Sequence, residues 1–119
     1  MTTRSEFHTE TAHVFLAKAR TYLAEGDLLQ AAEKGWGAAA HSVKAIAEQR
    51  GWRHGRHGDL FRAINRLTTE ADDRSLHKQF LVANGLHNNF YDGELPRESV
   101  AAGLEEVEQL VRHLQRLST

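Results

Sequence analysis

The chain has 119 residues, 40% hydrophobic and 26% charged, which are the proportions of one globular domain with a modest core. A formal net charge of −1 gives no global field toward nucleic acid, so any such contact must come from a local patch. Cysteine is absent, which excludes disulfides and thiolate chemistry, and neither a membrane span nor an N-terminal export signal is expected, so the expected location is cytoplasmic.

A single proline and many alanines favour helices. The first is predicted from about Ser5 to Glu25, with Ala12, Phe15, Ala19 and Leu23 as its buried stripe. Gly26 suits a left-handed C-terminal position, and Asp27 is placed to cap the next helix with Gln30 completing a capping box. That second helix, about Leu28 to Gln49, carries a seam of Leu28, Ala32, Trp36, Ala39, Val43 and Ile46, with Ala31, Gly35, Gly37, Ala38 and Ser42 beside it. Each interior glycine costs about 1 kcal/mol relative to alanine. The compensation expected is a close backbone approach, within the bundle or from a second subunit.

A basic, glycine-rich loop from Arg50 to Gly58 leads to a short third helix, about Asp59 to Thr69, burying Leu60, Phe61, Ile64 and Leu67. The fourth helix, about Arg74 to Tyr91, closes at Gly93. It places Leu76, Phe80, Ala83 and Phe90 on one face, with His87 on the same seam. Pro96 opens the fifth, whose stripe of Val100, Leu104, Val107, Val111 and Leu114 is the most regular in the chain. No stretch alternates with period two. The short connections predict one all-α domain over residues 1–119, an antiparallel up-and-down bundle of four main helices plus one short helix.

The chemistry-bearing positions fall in three places. Asn84, His87, Asn88 and Tyr91 share a surface at the end of the fourth helix, with Asn89 beside them, and form either a satisfied internal network or a site for a phosphate or base edge. The second helix carries Lys34, His41 and Lys44; the latter two share a face that either meets a phosphate or is simply solvated, and Trp36 is expected as a core anchor. The loop places Arg50, Arg53 and Arg56 around Trp52, either a single-strand contact or a mobile solvated loop. His54 and His57 alone are too few ligands for a metal site, so no metal and no cofactor are expected. There is no phosphate loop after a strand, no nucleophile elbow and no supported carboxylate pair.

The strings Lys34-Gly35-Trp36-Gly37-Ala38-Ala39-Ala40-His41, His57-Gly58-Asp59-Leu60 and Leu86-His87-Asn88-Asn89-Phe90-Tyr91-Asp92, set in such a bundle, resemble the HEPN domain (higher eukaryotes and prokaryotes nucleotide-binding). Within it the likeness is to the PaREP branch of small archaeal paralogous-repeat proteins. The resemblance spans Thr9 to Leu117 and implies nucleotide or RNA binding, a homodimer, and a toxin–antitoxin setting with a nucleotidyltransferase-type partner protein. Many HEPN proteins are metal-independent ribonucleases with an arginine shortly before a histidine late in the bundle. Here no arginine precedes His87 at that spacing, and the one literal match, Arg50 with His57, lies in the loop. The expectation is therefore a non-catalytic HEPN-like module, binding nucleic acid, nucleotide or a partner protein through Lys34, His41, Lys44, Arg53, Asn84, His87, Asn88 and Tyr91. The alternative is an endoribonuclease using His87 as base, with Lys44 or Arg53 stabilising the phosphate.

Overall fold

The computed structural model describes residues 2–118, which form five helices and no strand. They are α1 (Arg4–Glu25), α2 (Leu28–Arg50), α3 (His57–Ala71), α4 (Ser75–Asp92) and α5 (Arg97–Leu117). The boundaries follow local chemistry. Thr3 Oγ1 accepts from the Glu6 amide at 3.0 Å to start α1, and Gly26 ends it at φ +83°. Asp27 Oδ1 accepts from the Gln30 amide at 3.2 Å to start α2. The third helix begins two residues before the predicted Asp59, because Asp59 Oδ2 accepts the Arg56 amide at 3.1 Å and so caps the turn that contains it. Pro96 stands just outside α5, its missing amide proton costing nothing there.

The predicted antiparallel bundle of four long helices plus a short one is the architecture observed, and α2 is its centre. It packs against α1, α3, α4 and α5 alike, and twelve of its residues, including Ala31, Ala32, Gly35, Trp36, Ala38 and Ala39, are buried. Small side chains on several faces of one helix let several neighbours approach together. The close approach expected at the α2 glycines is made within the chain, but by side chains of α1, α4 and α5 and not by a neighbouring backbone. A Cβ on Gly35 would lie 2.5 Å from a Leu104 methyl of α5, and one on Gly37 would lie 2.6 Å from the Phe15 ring of α1.

The α4 seam differs from its prediction after Ala83. Leu76, Phe80 and Ala83 are buried as expected, but the next buried positions are Leu86 and Asn89, with His87 and Phe90 only half-buried. Leu86 wins the inward position because α5 presents Gly103 opposite it, so close that a Cβ there would sit 2.9 Å from the leucine side chain. His87 is thereby turned off the core seam toward α2 and α3.

Gly35→Ala is expected to lower stability, since Leu104 and Leu86 are both buried and must repack at a cost of about 1–3 kcal/mol against roughly 1 kcal/mol gained in helix propensity. Gly85→Ala, where a Cβ meets nothing within 4 Å, is expected to raise it by up to about 1 kcal/mol. Paired denaturant melts check the contrast, which fails if both variants move the same way.

Candidate functional site

Trp36 is the floor of the principal cluster. Its indole is 8% exposed and packs on Phe80 of α4 at 5.5 Å between ring centroids. Two imidazoles stack on it, His57 from the first turn of α3 at 4.8 Å and His87 from α4 at 5.0 Å, with interplanar angles of 25° and 28°. The two histidines are themselves 5.6 Å apart and nearly parallel. Each is oriented by a hydrogen-bonding partner: His57 Nε2 by Asn84 Oδ1 at 2.7 Å, and His87 Nδ1 by Glu33 Oε2 of α2 at 3.1 Å. Tyr91, one turn beyond His87, meets that imidazole edge-on at 5.5 Å and is 73% exposed. Three helices thus deliver a fixed aromatic stack with a free phenol at its rim.

The asparagines of the same segment separate by role. Asn88 is exposed. Asn89 is buried, and its Oδ1 accepts the Leu95 amide at 2.8 Å, tying the end of α4 to the strand of chain that enters α5. Of the two readings open for Asn89, its bond is the one expected of an internal network: it holds the connection.

His41 and Lys44 lie apart from that cluster, among a second group of histidines. His41 Nδ1 faces His8 Nδ1 of α1 at 2.8 Å, so one ring donates its proton and the other accepts it. His54 of the loop stands 5.4 Å from His8, edge to face, with its Nε2 at 3.5 Å from Glu48 Oε2. Lys44 Nζ donates to the His54 carbonyl at 2.8 Å and so anchors the loop to α2. Burial, then the neighbouring His8 and Lys44, push His41 down to about 4, and burial with His54 and Lys44 lowers His8. Lys34 lies over the Phe15 ring at 4.6 Å, in neither cluster. Arg53 is exposed on the loop between α2 and α3. Among the described residues no group of three or more histidines, aspartates or glutamates is placed to hold a metal ion.

The positions singled out in the sequence therefore do not form one site. Asn84, His87 and Tyr91 come together; His41 and Lys44, Lys34, Arg53 and Asn88 stand elsewhere. The stack also recruits His57, Trp36 and Glu33. The signal for His57 was its place at the entry to α3, but only the course of the loop, which runs back beside α2 from Lys44 toward Trp36, brings it to His87.

The chain is a small all-helical protein of five helices, and its relatives narrow that class. The model of the archaeal PaREP1/PaREP8 family matches residues 7–111, and the chain belongs to that family. A crystal structure of a protein from Sulfolobus solfataricus shares the fold, with a TM-score of 0.80 at 24% identity over 89% of this chain and 94% of that one. No curated protein matches the sequence. No helix among the described residues is long and apolar enough to cross a membrane.

The His8–His41 contact makes a pH prediction. His41 holds its proton less tightly folded, at about 4, than at its ordinary value of 6.5, so between those limits the unfolded chain binds more protons. Stability is then full above pH 6.5 and falls as the pH drops toward 4. In His41→Gln, which keeps a group able to bond His8 but does not titrate, the melting temperature is expected to fall less over that window. Parallel melting curves for both proteins would contradict this.

Proposed function

We propose that this PaREP-family chain is a HEPN-like, non-catalytic binding module whose ring stack receives a base of single-stranded RNA or of a nucleotide. One observation carries the reading: Trp36, His57 and His87 form a preassembled stack, locked by Asn84 and Glu33, with an exposed tyrosine at its edge. Flat, oriented rings beside a free phenol match what a base needs for stacking and edge contacts, and their order is established before a ligand arrives. Among the described residues no arginine is a hydrogen-bond or ring partner of His57 or His87, which favours binding over cleavage. A homodimer belongs to the same proposal. The glycines of α2 no longer argue for it, since the space beside them is filled from within the chain, but exposed Val82 of α4 and Leu95 of the α4–α5 connection line one shallow apolar groove suited to a second copy.

A second reading has its own observation. His87 is backed by the Glu33 carboxylate, as a general base would be, and His57 stands 5.6 Å away as a second proton-transfer group. In that reading the pair cleaves RNA without metal, His87 taking the proton of the ribose hydroxyl and His57 protonating the leaving oxygen.

One set of variants separates the two. Single-stranded RNA is expected to bind the wild type and remain intact. Tyr91→Ala is expected to weaken binding by about 1–3 kcal/mol, the range for loss of one stacked base, without altering the melt. His87→Ala is expected to cost about 1–2 kcal/mol of stability through the lost ring stacking and hydrogen bond. RNA cut by the wild type but not by a His87→Ala variant of unchanged melting temperature would transfer the conclusion to the second reading. RNA binding unaffected by Tyr91→Ala would remove the stack as the base site.

A further inference from the structure

The connection between α2 and α3, apart from the ring stack, forms a continuous groove lined by Trp52, Arg53, Arg56, Asp59, Arg62 and Arg66. Four arginines against one carboxylate leave three positive charges here, in a chain whose formal net charge is −1. The patch is therefore a concentration of charge and not a sample of a basic surface. Its single carboxylate is already engaged: Asp59 accepts from the Arg62 guanidinium at 2.9 Å and from the Arg56 amide at 3.1 Å. Those two bonds, Arg62 first, hold Asp59 below the usual carboxylate range, so it stays ionised and keeps Arg62 aimed across the groove. Arg53, Arg56 and Arg66 form no ion pair within 4 Å among the described residues, Arg53 acting on Asp59 only at longer range, whereas Arg50 at the end of α2 is paired with Glu70.

The loop that carries Arg53 and Arg56 is fixed. The Trp52 amide donates to the Ala47 carbonyl at 2.9 Å, Gly51 takes the left-handed conformation at φ +71°, and Lys44 binds the His54 carbonyl. The indole of Trp52 is not available to stack a base, because the Arg66 guanidinium lies over it at 4.1 Å and that of Arg50 stands 5.2 Å from it. Planar, fork-shaped guanidinium groups with unused donors match phosphate oxygens, and the covered indole leaves the groove no open ring on which a base could stack. We propose that this groove is a phosphate-chain site, holding consecutive phosphoryl groups of a free oligophosphate or of a single-stranded nucleic-acid backbone. It uses neither His87 nor Tyr91, so it stands or falls separately from the base site.

The test uses two probes without bases, inorganic tripolyphosphate and an abasic single-stranded phosphodiester oligomer, titrated calorimetrically into the full chain. At least one is expected to bind. Tripolyphosphate alone identifies a free oligophosphate as the ligand; the abasic strand identifies the nucleic-acid backbone, with a log–log salt slope of about 0.7 per phosphate contacted. Arg53→Gln with Arg56→Gln is expected to weaken the binding by about tenfold or more, the effect of losing a charge-assisted hydrogen bond. Circular dichroism and melting should not change, since both side chains are exposed. Arg112→Gln with Arg116→Gln, the same charge removed from α5, should leave affinity nearly intact. Failure of both probes to bind below millimolar concentration, undiminished binding by the groove variant, or equal loss in the α5 variant would each overturn the proposal.

Discussion

Close packing around α2 is the constraint on which the rest of the molecule depends. A helix with alanine or glycine at positions 31, 32, 35, 38 and 39 presents little side-chain bulk to its neighbours, and α1, α4 and α5 settle against it as a result. Trp36 is the exception on that surface. It is the largest side chain of the helix, and it fills the space where α3 and α4 converge, packed against Phe80 and stacked with two imidazoles. A wide ring against small neighbours both closes the core and creates a platform. The candidate base site is thus an extension of the core packing, built from side chains whose positions are dictated by helix contacts.

In the reading proposed here the two polar regions divide the chemistry of a nucleotide between them. The stack offers flat rings, an amide and a phenol, groups that discriminate a base by shape and edge. The groove offers charge and fork-shaped donors, with its aromatic face covered by arginine. The loop that forms one side of the groove is held by Lys44, and its His54 meets the His8–His41 pair. Burial of His8 and His41 disfavours their charged forms, so protonation of that pair is opposed by the packing of α1 on α2.

Much of this was legible in the residues. Helical periodicity and the punctuation at Gly26-Asp27, Gly51 and Gly93 mark the helices to within a few residues, and the α5 stripe of Val100, Leu104, Val107, Val111 and Leu114 is buried throughout. Seams are local properties, so period and caps are enough to find them. The site is not local. His87 reads as a core residue because it falls seven residues after Phe80, yet Gly103 on a different helix gives the inward place to Leu86. His57 and Glu33 are distant in sequence from His87, and nothing in the chain's local pattern pairs them. The His8–His41 contact likewise depends on the register of α1 against α2, which apolar stripes rich in alanine do not specify. Arg66 lies outside the arginine-rich loop altogether and joins Trp52 only through the packing of α3.

The central claim is that the two histidines of the site lie stacked on the Trp36 indole in the free protein. Histidine ring proton resonances measure this directly, because a proton above an indole face is shifted upfield by the ring current. The account predicts upfield-shifted ring protons for both His57 and His87 without ligand, returning toward ordinary values together in Trp36→Leu. Ordinary shifts for both in the wild type, or an upfield pair that survives removal of the indole, would contradict it.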